Sequence, residues 1–260
     1  MRKQKHIVSF SGGKDSTAML LRMIELDMPI DKIIFADTTL EYPELYDYIK
    51  KVEKYIKRKI TIVKPEYDLD HYFYKKRKSG RLIGQIRGFP FVITPCWIQR
   101  DMKVRVMEKL QSKGDYVYLG YAKGEENRIQ TDKTKKQIYK YPLIEWGWTE
   151  RKCLFYIKEK GLDNPLYRKY KRLGCWLCPK QPTKDLRYIF ENHPKLWQKL
   201  LRYEVDSPHG FKPNLRLKDL ENKWKYQTKL TGETFFPSER IIAIKRDSAE
   251  SPNPPTADFS

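Results

Sequence analysis

The segment that most restricts this chain is a glycine pair set between a strand and a helix near its start. Ile7-Val8-Ser9-Phe10 is a short apolar run that stops at Ser11-Gly12-Gly13, and Thr17, Leu20, Leu21 and Ile24 then recur at the spacing of one helix face. A second apolar run, Ile33-Ile34-Phe35-Ala36, ends at Asp37-Thr38-Thr39, and Leu45, Tyr48, Ile49, Val52 and Ile56 give a helix over 43–57. Ile60-Thr61-Ile62-Val63 supplies a third strand. Strands alternating with helices of about 10–15 residues predict an α/β fold. The expectation is a parallel twisted sheet with helices on both faces and ligands at the carboxyl ends of its strands.

Residues 75–90 hold Lys75-Lys76-Arg77-Lys78-Ser79-Gly80-Arg81 and several glycines, which reads as a basic, mobile loop near the presumed site. A helix is expected over 98–113, a fourth strand over 116–120, and a helix from Thr149, its candidate cap, to Lys160. Beyond Cys178 the pattern is helical over 183–192, 194–206 and 216–228, with Pro194 suited to a first turn. From Ser248 the composition favours disorder. The organisation expected is therefore a domain over 1–182, a helical C-terminal extension over 183–247 and a disordered tail over 248–260.

Lys and Arg number 53 against 33 Asp and Glu, a formal charge of +20, while 40% of the 260 residues are hydrophobic. That apolar share excludes a disordered basic tail as the whole molecule. A mean hydropathy of −0.75 and the lack of an apolar run near about 18 residues argue against a membrane span, and the short run after Lys5 is no signal peptide. The expectation is a soluble, cytoplasmic protein whose excess charge draws polyanions, RNA or DNA among them. Four cysteines, Cys96, Cys153, Cys175 and Cys178, are too few for a disulfide scaffold, which leaves metal ligation or redox chemistry.

In Ser11-Gly12-Gly13-Lys14-Asp15-Ser16, unpaired backbone N–H groups and the helix dipole favour an anion. The glycines let backbone approach phosphate oxygens, Lys14 adds a point charge, and Ser11 and Ser16 offer hydroxyls. Asp15 makes sense as a helix cap or as a partner for Mg²⁺. The hexapeptide is neither the Gly-x4-Gly-Lys-Ser/Thr loop nor the dinucleotide fingerprint. It resembles the PP-loop of ATP pyrophosphatases, Ser-Gly-Gly-x-Asp-Ser, within the adenine nucleotide α-hydrolase-like fold. The resemblance implies that Ser9, Ser11, Gly12, Gly13, Lys14, Asp15 and Ser16 bind ATP while its α-phosphate is attacked. Asp37 and Thr38 would then lie by the adenosine end.

Gly174-Cys175-Trp176-Leu177-Cys178-Pro179 sets two thiols about one turn apart, a spacing open to zinc, an iron–sulfur cluster or a redox pair. Cys96 precedes a helix carrying Arg100, Lys103 and Arg105, cations that favour a thiolate. Pro142-Leu143-Ile144-Glu145-Trp146, Thr149-Glu150, Asn164-Pro165-Leu166-Tyr167 and the Cys175 pair together resemble the phosphoadenosine phosphosulfate (PAPS) reductase family, as does Asp37-Thr38 through Pro43-Glu44. Gly124-Glu125-Glu126-Asn127-Arg128 is similar to that family's substrate-contacting arginine loop.

The resemblance implies that Cys96, Cys175 and Cys178 hold a 4Fe–4S cluster with one iron open, as in PP-loop tRNA thiolases. Zinc on the three thiols plus a water or another side chain is the other reading. Cys153, inside a helical apolar run, reads as a structural core thiol. Two departures separate the chain from sulfate-assimilating reductases: its loop keeps the Gly-Gly-Lys-Asp core, and residues 179–260 hold no cysteine.

The expected function is an ATP-dependent, AMP- and pyrophosphate-forming sulfurtransferase acting on a nucleic acid, by tRNA thiolation or DNA phosphorothioation. Lys14, Asp15, Cys96, Cys175 and Cys178 are its candidate catalytic residues, Arg128 a further nucleotide contact, and a sulfur donor or reductant protein its partner. The alternatives are a sulfonucleotide reductase using an external thiol and a nucleotide-binding redox sensor without turnover. Basic runs at 50–51, 57–59, 75–81, 133–140 and 167–172 are candidate phosphate contacts, the last interleaving tyrosines with cations. The oligomeric state is left open, a homodimer included.

Overall fold

The computed structural model describes residues 2–93, 95–129 and 136–231. The expected tail over 248–260, the end of the extension and Lys133 to Lys135 of one basic run lie outside the described residues. The elements run β1 (His6–Phe10), α1 (Lys14–Glu25), β2 (Lys32–Ala36), α2 (Pro43–Ile56), β3 (Ile60–Val63) and α3 (Leu69–Tyr74). A wide-turned helical segment, Ile98–Val104, passes directly into α4 (Arg105–Glu108). Then follow β4 (Tyr116–Leu119), β5 (Ile138–Lys140), α5 (Pro142–Glu145), α6 (Glu150–Glu159), α7 (Thr183–Asn192), α8 (Pro194–Asp206) and α9 (Leu217–Thr231).

All four strand pairs are parallel, in the order β3-β2-β1-β4-β5. The chain moves outward from β1 to β3 and then returns to the other side of β1 with β4. That reversal leaves a crevice above the carboxyl ends of β1 and β4, the place where open α/β sheets hold ligands. Alternation along the strands buries both faces. Val8, Phe10, Ile33 and Phe35 join the cluster formed with α1 and α2, while Ile7, Ile34 and Ala36 pack with Met107 of α4 on the opposite face. No helix among the described residues is long and apolar enough to cross a membrane.

The helix expected over 98–113 stops at Glu108, where Leu110 N bonds to Met107 O (3.0 Å) and Gln111 N to Glu108 O (3.2 Å). These tight turns end the ladder before Gly114, at φ +84°, redirects the chain into β4. Strand β5 has no apolar run to announce it, because it is three residues long on a sheet edge with its outer positions exposed. Helices α7, α8 and α9 bury Leu186, Ile189, Trp197, Leu200, Leu217 and Trp224 in the same cluster as the sheet.

The basic loop over 75–90 is tied down, and none of its residues lines the crevice. Arg77 N bonds to Gln85 O and Arg87 N to Lys75 O, both at 2.9 Å. Phe89 is buried edge-to-face against Phe73 and Phe211. Arg87 from this loop meets the buried carboxylate of Asp101 at 2.8 Å, as Arg100 (2.8 Å) and Arg105 (3.0 Å) do from the helix itself. Burial alone would push the Asp101 carboxyl up, but the Arg100 hydrogen bond and the charges of Arg100, Arg87 and Arg105 hold it below the usual carboxylate range.

A carboxyl lowered on folding contributes its full stability above about pH 4 and loses it as pH falls through the lower folded value. Asp101→Asn should cost about 2 kcal/mol at neutral pH. Urea denaturation at neutral and acid pH checks this, because the gap to wild type should close on acidification.

Candidate functional site

Gly13, not Asp15, is the residue at the N-terminal boundary of α1, and having no side chain it supplies no cap of its own. The hydroxyls of the loop knit it together: Ser16 Oγ donates to Gly13 O (3.1 Å) and lies 2.9 Å from Ser11 Oγ, while Thr17 Oγ1 donates to Gly13 O (2.9 Å). Gly12 stands at φ +69°, and a Cβ there would lie 2.7 Å from Leu45 Cδ1. Its carbonyl accepts from the amide of Asn164 (3.0 Å), whose Oδ1 accepts from Leu166 N (3.0 Å). Asn164 is wholly buried, so the Asn164-Pro165-Leu166-Tyr167 segment is stapled to the loop. Tyr167 completes the contact, its hydroxyl accepting from Lys14 N at 2.9 Å. On the other side, the end of β4 approaches so closely that a Cβ on Gly120 would sit 2.9 Å from both N and Cα of Ser16.

The Lys14 ammonium is paired twice, with Glu150 at 2.8 Å and Asp15 at 3.0 Å. Burial works against its charge, yet the Glu150 and Asp15 carboxylates more than offset this and raise it. Asp15 is pushed up by burial against the pull of Lys14, with Glu150 and Glu125 adding like charge. Its Oδ1 is buried without a hydrogen-bond partner. Cys153 lies under the loop at 0% exposure, its thiol pushed up by burial and by the adjacent Asp15. That surrounding fits the core role expected of it.

At the end of β2 the two expected residues part company. Asp37 is buried and its Oδ1 accepts from Tyr46 Oη and Thr39 N, each at 2.7 Å, so its carboxylate holds the turn and does not line the cleft. Thr38 does line it, donating to Glu41 Oε1 at 3.1 Å. Ser9 lines the floor, its hydroxyl 3.5 Å from Met107 Sδ. Arg128 lies over the Tyr121 ring at 4.1 Å and pairs with Glu125 at the rim.

Cys96, Cys175 and Cys178 line the same cleft as the phosphate loop, which encloses about 540 Å³. Cys178 N bonds to Cys175 O at 3.0 Å, the turn that sets the pair side by side. The Cys175 thiol donates to Cys178, which lowers Cys178 and raises Cys175, and the Lys180 and Gln181 backbone amides favour the thiolate further. Cys96 departs from expectation. Arg100 and Arg105 are turned to Asp101 and absent from the cleft lining, which Lys103 joins, and burial pushes the Cys96 thiol up.

Among the described residues no three His, Cys, Asp or Glu side chains are already gathered as metal ligands. The donor set nonetheless suits a thiophilic centre, because three thiols share one cleft and one of them is poised as thiolate. The unpartnered Asp15 oxygen likewise suits a hard cation beside phosphate. Sequence reasoning gave no role to Glu150, Glu41 or Gly120. Their signals, a carboxylate after a capping threonine, one after a strand end and a glycine closing β4, are too common to single out.

Gly120→Ala should cost about 1–3 kcal/mol, since Ser16 backbone cannot give way. An unchanged urea midpoint would contradict the close approach. Glu150→Gln, which frees Lys14 of one carboxylate, should bind metal-free inorganic pyrophosphate about 3–10-fold more tightly in calorimetry.

The family model for the phosphoadenosine phosphosulfate reductase domain matches residues 5–181. The chain is 28% identical over 205 residues to an uncharacterised protein of Methanocaldococcus jannaschii, covering 76% of this chain and 41% of that one. It is 29% identical over 181 residues to an adenosine 5′-phosphosulfate reductase of Staphylococcus epidermidis, covering 66% of this chain and 69% of that one. A crystal structure of the PAPS reductase of Candida auris in a phosphate complex aligns with a TM-score of 0.47 at 21% identity, over 66% of this chain and 81% of its own. The chain spans about half the length of the first curated relatives it matches, 41% and 54%. With its strand order, its phosphate loop and a match that takes in the loop and all four cysteines, the chain belongs to the phosphoadenosine phosphosulfate reductase domain family.

Proposed function

We propose that this protein uses ATP, with release of AMP and pyrophosphate, to activate an oxygen of a nucleic acid and replace it with sulfur. The observation that carries the reading is the shared cleft, lined both by a loop with its two glycines intact and by three cysteines. A triphosphate laid along it sets its β- and γ-phosphates at the start of α1, where backbone N–H groups and Lys14 meet them. Tyr167 Oη and Glu150 hold those groups in the structure and give them up to phosphate. Asp15 would hold Mg²⁺ on the same phosphates through its free oxygen.

The α-phosphorus then faces Lys103, Lys180 and the thiols. An oxygen of the substrate attacks it, the bond to pyrophosphate breaks, and pyrophosphate leaves on the loop. Sulfur at the sulfide level, brought by a donor protein, displaces AMP from the adenylylated position. Cys96, Cys175 and Cys178 would hold a 4Fe–4S cluster, which when bound supplies an iron with an open position for sulfur. We place the reaction in the cytoplasm, where thiols stay reduced.

A second reading, reduction of a sulfonucleotide by an external thiol, draws on the similarity to adenosine 5′-phosphosulfate reductases. The intact loop argues against it, since those substrates carry no β,γ-pyrophosphate to hold. Anaerobic assay of pyrophosphate release from ATP, with and without added RNA or single-stranded DNA, separates them. The proposal expects release that depends on nucleic acid and falls about 100-fold or more in Lys14→Ala. Sulfite formed from adenylyl sulfate with thioredoxin would favour the second reading. Tight ATP binding without turnover would leave a redox sensor.

A further inference from the structure

A second, shallow and open concavity lies on the outer face of α6, lined by Thr149, Arg151, Lys152, Leu154, Phe155 and Lys158. Arg151, Leu154, Phe155 and Lys158 stand at i, i+3, i+4 and i+7, so they form one stripe along the helix. The opposite face of α6 is the buried one, carrying Cys153 and Ile157. Phe155 is 63% exposed and Leu154 36%, which leaves an aromatic ring and an aliphatic side chain in water between two cations about 10 Å apart along the axis. No carboxylate lines the concavity. At its near end the helix begins with Glu150, the residue that pairs with Lys14, and the charges of Arg172 and Arg128 act on that carboxylate from the cleft wall.

We infer that this stripe is a docking track for single-stranded nucleic acid that leads to the cleft, with Phe155 stacking a base and Arg151 and Lys158 meeting the flanking phosphates. The inference rests on the nucleic-acid substrate argued above. Cation, aromatic, cation is the order that a stacked base between two phosphates requires. A second copy of this chain is a poor occupant, because a surface of a +20 protein would meet its own charge. Continuity with the cleft favours a strand that must be threaded to the reactive phosphorus over an acidic protein that binds at a distance.

The test is fluorescence anisotropy with labelled oligouridylate and oligothymidylate across a salt series, using the full chain. Arg151→Glu/Lys158→Glu should weaken binding at least tenfold and make the slope of log K against log salt shallower by about 1.4, two contacts at about 0.7 each. Phe155→Ala should weaken it about 5-fold or more with the slope unchanged. Lys195→Glu/Lys199→Glu, an equal charge change at two exposed positions of α8, should alter affinity less than twofold. All variants should keep wild-type ATP affinity and helix content, which separates docking from folding.

Equal losses in the two charge-reversal variants would overturn the track in favour of diffuse attraction. Wild-type affinity in the α6 variants would overturn the track while leaving the nucleic-acid substrate standing. Loss of binding to a polyglutamate peptide in those variants, with oligonucleotide binding kept, would reassign the surface to an acidic protein. No oligonucleotide binding by the wild type would overturn the substrate reading itself.

Discussion

The hydrogen bond from the Asn164 amide to the Gly12 carbonyl, 3.0 Å long and fully buried, joins the two parts of this molecule that its chemistry needs together. It couples a loop at the start of the chain to the segment that leads into Cys175 and Cys178. Tyr167, three residues on, makes the second tie through Lys14 N. With Gly120 pressing on Ser16 from the β4 side, the loop is fixed between two walls. A buried donor and acceptor satisfied only by each other cannot separate cheaply, so phosphate loop and thiols keep their relation.

The second governing feature is how charge is distributed. Near the loop, Lys14 is balanced by Asp15 and Glu150, and Arg128 by Glu125. Beyond Cys96, three arginines are gathered on Asp101. The cleft is thus close to electrically balanced despite a chain charge of +20, and on the proposed function incoming phosphates would displace carboxylates from cations instead of filling a bare positive field. The surplus lies outside, on faces such as that of α6.

Much of this was legible in the sequence because the signals were local. Ile7 to Phe10 and Ile33 to Ala36 gave strands within a residue or so, and the Leu45 to Ile56 spacing gave the buried face of α2. The grouping of Cys96, Cys175 and Cys178, implied by the family resemblance, matches three thiols that line one cleft with Ser11 to Ser16. The misreadings involve choices between near neighbours that spacing and motif do not rank. Of the two roles open to Asp15, cap or Mg²⁺ partner, the cap position falls to Gly13; the Asp37 carboxylate, expected by the adenosine end of a nucleotide, is taken up by its own turn; and Arg100 with Arg105, expected beside Cys96, turn to Asp101. Each is decided by a nearby contact that the pattern alone does not select: the Gly13 boundary, the Tyr46 hydroxyl and the buried Asp101. Glu150 went without a role because its partner, Lys14, lies far from it in sequence.

The claim at the centre of this account is that the three thiols are ligands of a cluster at work beside the loop. Its most direct test is iron and acid-labile sulfide analysis of anaerobically prepared protein, with the visible spectrum and zinc content of the same sample. The account predicts a brown protein with about four iron and four sulfide per chain, lost when Cys96, Cys175 or Cys178 is replaced by Ala and kept in Cys153→Ala. A colourless protein carrying zinc, or iron retained in all three variants, would contradict it.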